Sequence, residues 1–421
     1  MNTCNQKYKD ESWDFRTANT KEYTHCFHTY PAMMIPQIAR KLLNQYGSEA
    51  EWLLDPYCGT GTSLVEASLF GMHSVGCDIN PLVRMIATSK VTPISLQQLD
   101  TEMNRVNDSF FEIEFGTAKI PETPIPAIPN LDYWFSDEVK KHLAYLLCQI
   151  NKVENEPISN FMKVAYSETV REVSYTRTST FKLHRMPSEK LENFNPDVYG
   201  IYRKKLNRNR QGLISYLEKR KDVEASICNT NTVAGELPIP RPLGGYNLVI
   251  TSPPYGDSQT TVAYGQFSRL SAEWIGLNNA RKIDSIAMGG RPSKRILENS
   301  PVTTAIEKIQ KIDEKRSQDV SAFYIDLGHS IDTVAKVLSP RSTICYVVGN
   351  RRVKDVQLPT DEFVIYAFGK HGFSHKETIV RNIPNKRMPK KNSPTNVAGK
   401  TSSTMNEENI VICQRTDQSC P

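Results

Sequence analysis

Several features are scarce or missing in this 421-residue sequence. Nine cysteines are spread along it without a CxxC pair or a dense framework. A disulfide scaffold is therefore excluded, and the thiols read as reduced. No stretch approaches the ~20 apolar residues that span a bilayer. The opening segment MNTCNQKYKDESWDF lacks the apolar centre of a signal peptide, so a cytoplasmic protein is expected. The eight histidines show no ligand spacing such as HExxH, and no metal is expected. Neither a GxxxxGK[ST] phosphate loop nor a GxGxxG fingerprint occurs. Charge of one sign is not in large excess: 52 Lys and Arg stand against 46 Asp and Glu. What remains is a chain with 39% hydrophobic and 23% charged residues, a globular composition. Its length fits two or three domains, or one large domain carrying an insertion.

The basic residues are unevenly placed. Residues 161–221 hold 14 Lys and Arg against 6 Asp and Glu, so the net positive charge resides there. The densest run is Arg203, Lys204, Lys205, Arg208 and Arg210. It is either a solvated helix face or a phosphate-contacting segment. Around this region the patterns change. EWLLDPYCGTGT, SLVEASLFG and SVGCDINP read as strand, glycine-rich turn, helix, strand and acid, the opening of a doubly wound sheet. Four prolines between 121 and 129 then forbid regular structure. A helical pattern covers 136–151, and strand patterns resume with VEASIC and YNLVITSPPY. The expected architecture is an α/β sheet begun by residues 1–110, interrupted by an insertion over 111–221, and completed by 222–421.

Two motifs carry chemistry. The first is Asp55-Pro56-Tyr57-Cys58-Gly59-Thr60-Gly61-Thr62. Two glycines one residue apart let backbone approach a ligand closely. The next apolar run ends in Asp78-Ile79, and an acid there fits a ribose diol. An acid ahead of the turn suits a ligand with an ammonium and no phosphate, as in S-adenosylmethionine. Cys58 reads as a small packing residue within this loop. The second motif is Thr251-Ser252-Pro253-Pro254-Tyr255-Gly256, directly after an apolar strand. Consecutive prolines force a stiff extended turn. Ser252 and the Pro253 carbonyl can accept from an amino group, and Tyr255 can stack on a flat ring. A planar base with an exocyclic amine satisfies all of these.

Together the two motifs resemble those of the amino-group DNA methyltransferases. DPYCGTGT resembles their cofactor motif and TSPPY their catalytic tetrapeptide, whose serine form is associated with cytosine-N4 methylation and whose aspartate form is typical of adenine-N6 methylation. The resemblance covers about 25–100 and 222–415. It implies a Rossmann-like methyltransferase sheet with an insertion for target recognition, S-adenosylmethionine as cofactor, double-stranded DNA as substrate, and a cognate restriction endonuclease as functional partner. HTYPAMMIP at 28–36 resembles the stretch beside the methionine end of the cofactor. VEASICN at 223–229 takes the place of the adenine-contacting strand, with Asn229 or Asn231 where an acid is common. VVGN at 347–350 and IPNKRMP at 383–389 resemble later motifs of the cytosine-N4 enzymes.

By this resemblance Asp55, Tyr57, Cys58, Gly59, Thr60, Gly61, Thr62, Asp78, Ile79 and Asn229 hold the cofactor, and Ser252, Pro253, Pro254 and Tyr255 do the chemistry. In the basic region, Arg171, Arg177, Lys182 and Arg185, together with Arg203, Lys204 and Lys205, are the expected DNA contacts. Asp257, Thr260 and Tyr264 are expected near the pocket. Cytosine-C5 chemistry needs a cysteine after a proline, and none of the nine follows one. Adenine-N6 methylation, tRNA guanine-N2 methylation and a non-catalytic DNA-binding protein are the competing readings.

Overall fold

The computed structural model describes residues 6–177, 182–235, 242, 244–257, 261–384, 391–392, 402–403 and 405–415. Its centre is an eight-stranded sheet. In chain order the strands are β1 (Lys7–Lys9), β2 (Trp52–Asp55), β3 (His73–Cys77), β4 (Ala225–Cys228), β5 (Tyr246–Thr251), β6 (Leu338–Val348), β7 (Phe373–Asn382) and β8 (Glu407–Arg415). Across the sheet they run β1-β7-β8-β6-β5-β2-β3-β4. β4, β3, β2, β5 and β6 are parallel to one another, and β8 inserts antiparallel between β6 and β7. The chain winds outward from β2 through β3 to β4, then returns to the other side of β2 with β5. That reversal creates a crevice at the carboxyl ends of β2 and β5, where doubly wound sheets bind ligands.

Parallel strands covered on both faces read as continuous apolar runs, and β5 (YNLVIT) is of this kind. Alternate residues face opposite layers. Leu54 and Val249 pack with helices α9 (Thr303–Gln310), α10 (Glu314–Ala335) and α11 (Thr360–Gly369). Their neighbours Leu53 and Leu248 pack with α1 (Pro36–Tyr46). No helix among the described residues is long and apolar enough to cross a membrane.

Between β3 and β4 the chain is helical: α3 (Pro81–Val91), α4 (Leu96–Glu114), α5 (Asp137–Asn151), α6 (Glu156–Glu172) and α7 (Val198–Lys219). Helix α4 runs straight through the expected boundary at 110. The inserted helices share one apolar cluster with α2 (Thr62–Phe70) and α3, joining Leu64 and Ile86 to Leu143, Phe161, Tyr202 and Leu213. The insertion therefore rests on the same core as the cofactor-motif helices. Residues 165–172 of the basic region belong to α6, and beyond it Thr176 and Arg185 form an isolated antiparallel bridge.

Candidate active site at the sheet reversal

The first motif begins where β2 ends. Asp55 is buried and accepts from the Tyr57 backbone N–H at 3.1 Å, from the Thr251 hydroxyl at 2.5 Å, and from the Ser63 hydroxyl. Burial pushes its carboxyl up to about 6, against those hydrogen bonds. The sequence suggested that this acid meets a ligand. Its carboxylate ties β2, the loop, α2 and the residue before Ser252 into one unit, and it also lines the cavity.

The two motif glycines divide the work. Gly59 has φ +49°, and a Cβ there would meet nothing within 4 Å. Its backbone faces open space. Gly61 has φ +77°, and a Cβ there would lie 2.9 Å from that of Ala87, so it permits α3 to pack closely. It does not line the cavity. Behind the loop, buried Lys90 donates to the Thr60 carbonyl at 2.9 Å, and burial pushes its ammonium down to about 7. No sequence signal marked Lys90.

Asp78 follows β3. One oxygen accepts from the Gly59 N–H at 3.2 Å and the other from the Asn80 N–H at 2.7 Å. Burial raises this carboxyl to about 6. Asn80 caps α3 through the Leu82 N–H and also bonds the Tyr30 and Ser268 hydroxyls, at 3.1 Å and 2.8 Å.

These groups surround a cavity that is partly open to solvent. Asp55, Tyr57, Cys58, Gly59, Thr60, Thr62, Asp78 and Ile79 line it, as do Ser252, Pro254 and Tyr264. The 28–36 stretch contributes Tyr30 through Met34. Asn229 is exposed and outside the wall, so that expectation is corrected. Thr230 to Val233 line the cavity in its place, and Asn231 caps the Val233 N–H at 3.1 Å. Residues missed from sequence are Val83 of α3, and Ile283, Ala287 and Met288 from a short helix and the turn after it.

The second motif lies beside the first. Ser252 donates to the Tyr255 hydroxyl at 3.3 Å or to the Val347 carbonyl at 3.2 Å. Pro253 is buried behind it. Tyr255 donates to Glu408 at 3.0 Å, and burial, then Glu408, push its phenol well above the usual range. Asp257 is not a pocket group. Its buried carboxylate is held by Arg316 and Arg351, each at 3.1 Å. Thr260 and residues 385–389 of IPNKRMP lie outside the described residues.

The expected DNA contacts separate into two sets. Arg203 pairs with Glu114 through both guanidinium nitrogens, at 2.6 Å and 2.5 Å. Lys205 is buried against Glu172 at 2.5 Å and Glu168 at 3.7 Å. Arg208 and Arg210 pair with Glu168 and Asp100. Arg203 and Lys205 thus knit α7 to α4 and α6, so in this fold neither cation stands free for phosphate. Of this run only Lys204 is exposed. Arg171 is likewise turned inward, 3.9 Å over the Phe267 ring. Arg177 and Arg185 stand at the Thr176–Arg185 bridge, where Arg185 lies 4.4 Å over the Tyr133 ring. Lys182 is near enough to Asp284 to favour its charged form. Asp284 accepts from the Gly265 and Gln266 N–H groups at the start of α8 (Tyr264–Ile275), whose Tyr264 lines the cavity.

A partly open cavity, the half-buried Asp78 carboxylate and a serine–proline–proline–tyrosine turn thus meet at one sheet crevice. A family model described as DNA methylase matches residues 2–88. The chain is also 39% identical over 424 residues to the Type II methyltransferase M.MvaI of Kocuria varians, covering 94% of this chain and 92% of that protein. The chain belongs to the Type II DNA methyltransferases. Shorter similarities join this methyltransferase to M.MjaII of Methanocaldococcus jannaschii, 34% identical over 92 residues, 21% of this chain and 17% of that one. A tRNA (guanine(10)-N2)-dimethyltransferase of Methanothermobacter thermautotrophicus is 48% identical over 52 residues, 12% of this chain and 16% of that one. Membership implies DNA as substrate and S-adenosylmethionine as methyl donor.

The cavity suits that donor. Asp78 offers carboxylate lone pairs beyond the two backbone bonds it already accepts, and Gly59 leaves room for close approach. Met33, Ile79 and Val83 supply apolar walls.

Proposed function

We propose that this methyltransferase transfers the methyl group to N4 of a cytosine in double-stranded DNA. The observation that carries the reading is a serine, rather than an acid, at position 252, in the wall of the cavity that also contains Asp78. A paired, stacked cytosine must be flipped out to reach such a pocket. Its amine is a weak nucleophile because the lone pair is delocalised into the ring. Ser252 and the Pro253 carbonyl accept its N–H groups and favour a more tetrahedral nitrogen. Tyr255 stacks against the base. Asp78 takes the ribose hydroxyls, and the 30–34 stretch lies along the methionine end. S-adenosylmethionine supplies an electrophilic methyl carbon; proximity and in-line placement do the rest.

In this reading the 111–221 segment contributes target recognition, with Arg177, Lys182 and Arg185 at the duplex. The enzyme works in the cytoplasm and protects DNA from a cognate endonuclease. The test is to incubate the protein with labelled S-adenosylmethionine and unmethylated plasmid, digest to nucleosides and identify the labelled one. N4-methylcytosine is expected. N6-methyladenine would overturn the base assignment, and label in tRNA alone would overturn the DNA reading.

A further inference from the structure

The side chains behind Ser252 form a directed line. Arg381 is 3% exposed and donates to the Trp13 carbonyl at 2.7 Å, to the Asp14 carbonyl at 3.2 Å, and to one oxygen of Glu408 at 2.5 Å. The other oxygen of Glu408 accepts from the Tyr255 hydroxyl at 3.0 Å. The Tyr255 oxygen is 3.3 Å from the Ser252 hydroxyl. A carboxylate only accepts. Tyr255 must therefore spend its single proton on Glu408, and can act toward Ser252 only as an acceptor. Ser252 then points its proton at Tyr255, or at the Val347 carbonyl, which is also only an acceptor. Either way its lone pairs stay available to the cavity.

We propose that Glu408 is a positioning residue that fixes the polarity of the Glu408–Tyr255–Ser252 chain, so that Ser252 accepts from the substrate amine and the chain carries away its proton. This rests on the reading of Ser252 given above. In the transfer, the amine lone pair forms the N–C bond while the C–S bond breaks and its electron pair stays on sulfur. The nitrogen is left with one proton too many. That proton passes to the Ser252 oxygen as the serine proton moves to Tyr255 and the tyrosine proton moves to Glu408. The Glu408 side chain is 15% exposed, which lets it return the proton to water. Glu408 lies on β8, far from both motifs in sequence, and reaches the site because β8 inserts between β6 and β7.

Glu408→Gln tests polarity at nearly constant shape. Its amide oxygen goes to Arg381, which leaves the amide N–H facing Tyr255 and reverses the chain. Tyr255→Phe keeps the ring and deletes one hydroxyl. Single-turnover transfer to unmethylated plasmid is expected to slow roughly 100-fold in each, in the range of positioned acid–base groups. Affinity for S-adenosylmethionine is expected to stay within about twofold, and the double variant to be no slower than either single one. Wild-type rates in Glu408→Gln, or independent multiplying losses in the double variant, would overturn the proposal. Tyr255→Phe carries the test where Glu408→Gln lowers the melting temperature. Ser252→Ala separates the two levels. A wild-type rate there removes the reading of the tetrapeptide itself. A slow Ser252→Ala beside fast Tyr255→Phe and Glu408→Gln removes only the relay.

Discussion

The buried acids of the cofactor crevice and those of the inserted helices differ in their partners. Asp55 and Asp78 accept hydrogen bonds only from hydroxyls and backbone N–H groups, and burial lifts both carboxyls to about 6, although the Arg84 charge nearby pulls Asp78 the other way. Glu168 is also largely buried, and burial acts on it in the same direction. Yet His28, Arg208 and Lys205 outweigh burial and hold it down at about 2. Burial pushes His28 itself down to about 4, so near neutral pH the arginine and lysine carry the effect. A charged group that already has its counter-charge is part of the framework. A desolvated carboxylate with lone pairs facing a cavity is poised for a ligand.

The largest effect should come from breaking the paired set. Glu168→Gln leaves Arg208 and Lys205 without their shared carboxylate. It also weakens the bond Glu168 accepts from the Thr29 N–H at 3.1 Å. Removing one partner of a buried ion pair costs about 3–5 kcal/mol. Urea unfolding should show a loss of that order, with affinity for S-adenosylmethionine unchanged wherever the protein is folded. An unchanged midpoint would mean that the cluster contributes little.

Asp78→Asn should behave in the opposite way. It removes the ligand acceptor and a desolvated charge together. Affinity for S-adenosylmethionine should fall by about 2 kcal/mol, roughly 30-fold, the range of hydrogen bonds to charged groups. The unfolding midpoint at pH 8 should hold or rise. Isothermal titration and urea unfolding on the same preparation give both numbers. Lower stability without lower affinity would make Asp78 a framework residue like Glu168.

The same comparison predicts the pH response. A carboxyl raised from 3.8 to about 6 binds its proton more tightly folded than unfolded. Its contribution therefore favours the folded state at low pH, and that advantage is lost as pH rises through about 6. Glu168 has the reverse sign: its contribution is present above the ordinary carboxyl range and is lost as pH falls toward about 2. Hydroxyl groups of the ligand favour the ionised form of Asp78. Affinity for S-adenosylmethionine should thus weaken roughly tenfold from pH 7 to pH 5, the loss expected of one carboxylate titrating near 6. In Asp78→Asn the profile should flatten. A profile that keeps its slope would point to another group.

What the sequence made legible follows the same division. DPYCGTGT and TSPPY are local, so strand, turn and helix could be read from consecutive residues, and the sheet reversal brings the two together. The separate jobs of Gly59 and Gly61 were not legible, because only the neighbouring Ala87 distinguishes them. Asn229 and Asn231 differ by two positions, and the turn after β4 decides which one meets the wall. Val83, Ile283 and Met288 carry no motif at all. The pairing of the basic run was hidden for a related reason. Its acids, Asp100, Glu114, Glu168 and Glu172, lie on α4 and α6, 33 to 110 residues from their cations. Charge density along a chain shows how many cations are present; pairing across helices decides how many remain for phosphate.

That last point makes the smallest and most discriminating prediction. Each protein–phosphate contact contributes about 0.9 to the slope of log affinity against log salt. Arg203→Gln with Lys205→Gln should leave the slope for duplex DNA unchanged and lower the unfolding midpoint, because both cations are already paired inside the fold. Arg177→Gln with Lys182→Gln should do the reverse, flattening the slope by roughly 2 at most and sparing stability, because Arg177 is exposed and Lys182 lies near Asp284, next to Ile283 in the cavity wall. Lys204→Gln, the exposed member of the run, should change the slope by less than about 1. Filter binding from low to moderate salt separates the three. A flattened slope in the Arg203 and Lys205 variant would show that duplex DNA competes with Glu114 and Glu172 for these cations, and the boundary between framework charge and ligand charge would then have to be redrawn within α7.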